Sequence, residues 1–170
     1  MNRILRNTLA LFLVCFSLII TSTPVDAART SKDNIKQMVA REARDLGIPA
    51  SLALAVAHAE SSFNASAVSH KGARGVMQIM PATALGEYGI QPRLLWNPRI
   101  NIRLGLHYLG RLIRKYRGRT DLALSFYNGG SAVGPPNKAQ IIPATYPYVR
   151  KVLRLQKFYR DRMYRDRQKH

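Results

Sequence analysis

Residues 51–82 read SLALAVAHAESSFNASAVSHKGARGVMQIMPA, and the fold turns on how this stretch divides. Its first part is a helix built for a core. Leu52, Leu54, Val56 and the alanines at 53, 55, 57 and 59 leave His58 as the only polar member before Glu60. Ala and Leu are strong helix formers, and Pro49 and Ser51 supply start signals. Glu60 then falls in the last turn, where the negative end of the helix dipole repels a carboxylate and burial strips its solvation. An ionisable group in so unfavourable a place is a candidate functional group. The plain alternative is a side chain that turns out to solvent.

The second part is a loop. Ser69, Gly72, Gly75, Gln78 and Met80 lead to Pro81, which suits the first turn of a new helix. Such a loop can fold back over the helix end and bring Ser69 and Gln78 beside Glu60. The run E-S-S-F-N-A-S-A-V-S-H-K-G-A-R-G-V-M-Q-I-M-P-A-T-A, from Glu60 to Ala84, resembles the signature of the soluble lytic transglycosylase domain family, relatives of goose-type lysozyme. The resemblance extends over about residues 48–153. Asn101-Ile102-x-x-Gly105-x-x-Tyr108-Leu109 is similar to a second motif, Leu124-Ser-Phe-Tyr127-Asn128-Gly-Gly to a third, and Pro143-Ala144-Thr145-Tyr146-Pro147-Tyr148-Val149 to a fourth.

The flanks set the context. Arg3 and Arg6 precede a short apolar run over residues 9–20, and Val25-Asp26-Ala27 is similar to a small-residue cleavage site. This is the pattern of a secretory signal peptide over residues 1–27, cleaved after Ala27, with an uncleaved anchor as the alternative. Cys15 follows Val14, a poor fit to a lipoprotein site, so export is expected and lipidation is not. Cleavage removes the chain's single cysteine, which excludes disulfides, a Cys nucleophile and Cys-based zinc sites. The expected destination is the periplasm or the medium. With 27 Lys and Arg against 9 Asp and Glu the chain carries +18, and losing the leader lowers this by only one. Such an excess suits a polyanionic partner: nucleic acid, anionic lipid or the acidic polymers of a cell wall. The export pattern argues against nucleic acid.

At 170 residues the chain is long enough for one domain with a real core. The spacing predicts helices over residues 31–46, with Ser31 or Asp33 as cap, and over 81–88. Asn97-Pro98 opens a longer one with Ile100, Leu104, His107, Tyr108, Leu112 and Ile113 inward and Arg103, Arg111, Arg114 and Arg117 on a solvated basic face. Thr120-Asp121 caps a helix over 122–127, residues 128–136 form a loop, and Pro143 starts a last helix with Val149, Val152, Leu153, Gln156 and Tyr159 inward. No alternating strand pattern stands out. The expected fold is mainly α: a compact lysozyme-like helical domain over residues 28–155 with a loop-lined glycan-binding cleft. Residues 156–170 are expected to be a basic helix end or tail, with Asp161 pairing to Arg165; its sharper reading is an electrostatic handle for an acidic partner.

Glycosidic cleavage usually needs two carboxylates. Between Leu46 and Thr120 the acidic residues are Glu60 and Glu87, and Glu87 reads as surface. An enzyme of this kind would work with one carboxylate and find its nucleophile in the substrate. The resemblance implies that reaction: cleavage of the β-1,4 bond between N-acetylmuramic acid and N-acetylglucosamine in peptidoglycan, the muramyl 6-hydroxyl closing on its own anomeric carbon to give a 1,6-anhydro end. It implies Glu60 as acid and then base, with a carboxyl pKa lifted from about 4.3 to roughly 6 or above by an apolar pocket. It implies substrate contacts from Ser69, Gln78, Met80, Thr83, Tyr127, Asn128 and Tyr148, and no cofactor or metal. Each has a plain alternative: a turn hydroxyl for Ser69, core filling for Met80, helix packing for Thr83. Many relatives carry Glu where Ala144 stands, so one substrate contact is lost. Small members often open the wall for secretion, conjugation or pilus machines. The competing readings are a hydrolysing muramidase of goose-lysozyme type and an inactive basic wall-binding protein.

Overall fold

A helix that is apolar on every side can only exist surrounded, and the chain is organised to surround one. The structure, a computed structural model, describes residues 24–169. Residues 1–23, and with them most of the expected leader, lie outside the described residues. Helix α2 (Ala50–Ser61) has Ser51, Leu52, Ala53, Leu54, Ala55, Val56 and Ala57 all buried. It packs against α1 (Pro24–Asp45) on one side and α6 (Tyr146–Arg167) on the other. Helix α4 (Pro98–Lys115) lies on α1 and on α5 (Thr120–Gly129), and α5 meets α6. The short α3 (Pro81–Tyr88) leads into a 3-10 turn, Pro92–Trp96. Among the described residues β-structure is limited to two isolated bridges, Val68 with Arg74 and Arg74 with Ile79.

Several elements start where the sequence says they should. Met80 is extended and Pro81 opens α3; the Asn97 side chain accepts from the N–H groups of Arg99 and Ile100 to open α4. Others differ. Helix α1 begins at Pro24, so Ser31 and Asp33 lie within it rather than capping it. Arg119, not Thr120, precedes the first residue of α5. That helix continues through Asn128 and Gly129, and a 3-10 turn (Gly130–Val133) follows, where a loop is expected. Helix α6 carries the basic segment on as helix to Arg167, and Asp161 pairs back to Lys157 at 3.1 Å rather than forward to Arg165. Leu153 is 39 % exposed, because the buried stripe runs Val149, Val152, Tyr159 and Leu153 sits one step off it. His107 is exposed too. The basic face of α4 is partly paired: Arg103 reaches Glu42 of α1 at 3.2 Å and Arg111 reaches Glu87 of α3 at 2.9 Å.

The loop between α2 and α3 has no regular ladder, so its backbone must find partners elsewhere. Asn101, fully buried in α4, provides two, and a third to the 3-10 turn after α3. Its Oδ1 accepts from Met77 N–H at 2.8 Å, and its Nδ2 donates to the carbonyls of Arg74 at 2.8 Å and Leu95 at 3.1 Å. Ser61 Oγ donates to Val76 C=O at 2.8 Å. Two glycines let the chains touch. A Cβ on Gly75, whose φ is +75°, would stand 2.5 Å from Asn101 Nδ2, and one on Gly105 would stand 2.4 Å from Met77 Cβ. Asn101→Ala strands three buried backbone groups and opens a void, so it should lower unfolding free energy by about 3 kcal/mol. Denaturant melts measure this; a loss under about 1 kcal/mol would mean the loop is held by other contacts.

Candidate functional site

The C-terminal turn of α2 delivers Glu60 to the place where the loop and α6 meet. Two residues in the left-handed region turn the chain there: Ser62, whose N–H closes on Ala57 and His58 C=O, and Phe63 at φ +65°. Such a conformation is strained for a bulky residue. Burial of the Phe63 ring against His58 and Tyr159 offsets it, and His58 Nδ1 lies 2.9 Å from Tyr159 Oη. Across the turn, Lys151 of α6 donates to Ala59 C=O at 2.8 Å, placing a cation at the negative end of α2.

Glu60 is held by one strong bond. Tyr148 of α6 donates its hydroxyl proton to Glu60 Oε1 at 2.6 Å. Burial raises the carboxyl pKa from its ordinary 4.5 to about 7, against the downward pull of the Tyr148 hydrogen bond and of the Lys151 charge. Near neutral pH Glu60 is therefore poised between acid and base. Tyr148 in turn is kept protonated, its pKa driven well above 10 by burial and then by the Glu60 charge.

A separate cavity of about 200 Å³ is lined by Gln78, Met80, Thr83, Tyr108, Tyr127 and Asn128, among others, with neither Glu60 nor Tyr148 in its wall. Tyr127 donates to Met77 C=O at 2.8 Å, so the loop backbone and the α5 ring fix one another. Burial raises the Tyr127 pKa well above 10, with the Glu60 charge next in effect. Gln78 takes a left-handed φ of 48° and donates through Nε2 to Gly75 C=O at 2.9 Å and Ala67 C=O at 3.1 Å. Met80 is 38 % exposed, a surface methionine and not core filling. Asn128 is exposed at the end of α5.

Of the residues singled out from the sequence, the structure thus joins Tyr148 to Glu60 and gathers Gln78, Met80, Thr83, Tyr127 and Asn128 around one hollow. Ser69 is outside both: its Oγ accepts from Ala73 N–H at 3.0 Å within its own turn. Ala144 is exposed, one residue from Thr145, which is buried and hydrogen-bonded to Ser125 Oγ at 2.7 Å. Glu87 is exposed and paired with Arg111. Two groove residues escaped the sequence reading. Tyr108 and Phe126 line both this cavity and a neighbouring one of about 320 Å³ bordered by Glu87, Arg111 and Arg114, and so stand between the two. Phe126 lies next to Tyr127 in the chain, a signal that was available. Among the described residues no three His, Cys, Asp or Glu side chains converge as metal ligands would.

A raised carboxyl pKa is also a statement about stability. Below about pH 4.5 Glu60 is protonated folded and unfolded, and costs nothing. From there to about pH 7 the unfolded chain releases this proton while the folded chain keeps it, so stability falls as pH rises, and above that the penalty is constant. Glu60→Gln should abolish this slope, gaining roughly 3 kcal/mol at pH 8 and almost nothing at pH 4. Melts of both proteins across that range test it; a pH-independent difference would show the carboxyl is solvated.

The family described as Transglycosylase SLT domain matches residues 37–146. The chain is 37% identical over 109 residues to membrane-bound lytic murein transglycosylase C of Cronobacter sakazakii, and 32% identical over 145 residues to the protein of that name from Edwardsiella ictaluri. These matches cover 55% and 76% of this chain but only 30% and 40% of the relatives, so the chain spans well under half their length. Among solved structures, an inactive mutant of lytic transglycosylase Slt from Pseudomonas aeruginosa superposes with a TM-score of 0.65 at 28% identity, over 75% of this chain and 24% of that one. The 70 kDa soluble lytic transglycosylase of Escherichia coli gives 0.64 at 29% identity, over 77% and 24%. A further match is a 70 kDa soluble lytic transglycosylase in complex with bulgecin A, at 0.64 and 26% identity, over 82% and 27%. Sequence and fold therefore agree over the stretch that builds the site, and the chain belongs to the transglycosylase SLT domain family of the lysozyme-like superfamily.

Proposed function

We propose that this chain is an exported lytic transglycosylase that cleaves the MurNAc–β-1,4–GlcNAc bond of peptidoglycan without water. The observation that carries this reading is Glu60: a carboxyl held near pKa 7 and hydrogen-bonded to Tyr148, in a domain whose Tyr127 and Asn128 line a hollow of their own. Glu60 gives its proton to the glycosidic oxygen as the C1–O bond breaks. The positive charge at C1 is eased by the sugar's own 2-acetamido group, and Tyr148 shields the new carboxylate. The 6-hydroxyl of the same muramyl residue then bonds to C1 and returns its proton to Glu60. Tethering makes this attack far more probable than that of a passing water.

Gln78, Met80, Thr83, Tyr127 and Asn128 form the bed for the muramyl unit, Tyr127 by its ring and Asn128 by its amide. Ser69, its oxygen engaged by Ala73, keeps a hydroxyl proton to donate toward the sugar. Ala144 removes one acidic contact that relatives have. The basic surface draws the chain to an anionic wall, and export across the inner membrane brings it there. A role in opening the wall for a secretion, conjugation or pilus apparatus rests on the family resemblance.

Digestion of purified peptidoglycan should release muropeptides lighter by one water than hydrolysis would give, carrying 1,6-anhydro ends. Reducing ends in their place would replace this reading with a muramidase. Glu60→Gln should lower turnover by about 10²–10⁴-fold without loss of fold. In the pH profile of kcat/KM the alkaline limb should fall near 7, the value set by burial of Glu60. Because the Tyr148 hydrogen bond favours the ionised carboxylate, Tyr148→Phe should move that limb upward; a limb that stays in place or moves down would show that Tyr148 does not tune the carboxyl.

A further inference from the structure

The outer face of α6 is not used by the site. Tyr146–Arg167 carries eight Lys or Arg against Asp161 and Asp166. Asp161 engages Lys157 at 3.1 Å and Arg160 at 3.9 Å, and Asp166 engages Arg162 at 4.0 Å. Among the described residues Arg150, Arg154 and Arg165 have no carboxylate at ion-pair distance. On the same helix Leu153 is 39 %, Phe158 49 % and Tyr164 60 % exposed. At 3.6 residues per turn Leu153, Lys157 and Tyr164 share a line, with Arg150, Arg154 and Arg165 alongside, while Phe158 turns toward a groove against α1. Between Arg150 and Arg154 the surface dips into a hollow of about 510 Å³ floored by Pro147 and Leu153.

We propose that this face docks the domain on an anionic phospholipid surface, the Arg150–Arg154 hollow receiving a headgroup phosphate while Leu153 and Tyr164 enter the interfacial layer. Guanidinium groups recognise phosphate oxygens, and arginines spaced four apart on a helix flank the same spot. The exposed apolar side chains decide between partners. A polymer held by charge alone gains nothing from Leu153 left in water, and a nucleic acid can stack on rings but not on a leucine. The boundary of a bilayer rewards both halves of the pattern, basic groups at the headgroups and aromatic and aliphatic groups just below them. Tyr148 faces inward to Glu60 from the opposite side of α6, so a docked domain keeps its groove open.

The test is flotation of the full chain with vesicles of phosphatidylcholine, with and without about one third phosphatidylglycerol. The apolar run over residues 9–20 is common to all variants and cancels in their ratio. Wild type should partition to the anionic vesicles. Arg150→Gln with Arg154→Gln should weaken this about 20-fold, near fivefold per charge. Leu153→Ser with Tyr164→Ser, which leaves charge unchanged, should weaken it about fivefold. An arginine variant that floats like wild type would overturn the proposal. So would a serine variant that floats like wild type, since binding would then be that of a general polyanion site. Circular dichroism melts of both variants check that the helix is intact.

Discussion

A carboxyl group taken out of water must either meet a cation or keep its proton, and the organisation of this domain follows from Glu60 doing the second. Among the described residues no guanidinium is brought to it. Its one direct partner is the Tyr148 hydroxyl, a donor too weakly acidic to give up its proton and therefore able to stabilise the anion without becoming one. Lys151 stands near, yet its ammonium is spent on the Ala59 carbonyl, one residue away. The carboxyl is thus biased toward the neutral form by desolvation and only partly corrected by its neighbours. That balance leaves it near 7 rather than at either extreme, where it would be a permanent acid or a permanent anion.

Holding such a group requires rigidity around it, and the rigidity comes from polar side chains that act on backbone. Met77 is gripped twice, through its N–H by Asn101 of α4 and through its carbonyl by Tyr127 of α5. Val76 is gripped by Ser61, the residue after Glu60. The fourth motif is fixed the same way, for Ser125 of α5 accepts from Ile142 N–H and pairs with Thr145, immediately before the helix that carries Tyr148. Each of these contacts spans 15 to 50 residues of chain. Remote parts of the sequence are therefore tied together, and strain at Phe63 and Gln78 is tolerated because those ties over-determine it.

The sequence shows clearly whatever rests on local chemistry. The all-apolar run to Ala59 can only be a buried helix, Pro81 and Asn97-Pro98 are helix starts by backbone geometry, and the absence of alternation leaves no room for a sheet. What it hides rests on contacts made far along the chain. Gly129 stays at the end of α5, where a loop is expected, and a Cβ there would lie 2.6 Å from Thr145 Cγ2 and 2.8 Å from Ile142 Cδ1; the glycine is a packing residue, and only the fold says so. Tyr108 sits on the apolar stripe of α4 and looks like core, yet it becomes a groove wall because α5 brings Phe126 up beside it. Ser69 is a mixed case: its oxygen accepts from Ala73 N–H within a tight turn, a contact the sequence does not spell out, and only its hydroxyl proton is left for the role proposed above.

The distribution of acidic residues gives the chemistry its direction. Two carboxylates on either side of a sugar can activate water, because one takes the proton that the other does not need. In this domain Glu87, the other acid between Leu46 and Thr120, borders a different cavity and is committed to Arg111. A single carboxyl beside a bound sugar can protonate a leaving oxygen and then, as a carboxylate, take a proton from a nucleophile on the same face. A hydroxyl of the substrate itself meets that requirement, and the paucity of acids and the poised pKa of Glu60 are what support the intramolecular closure proposed above.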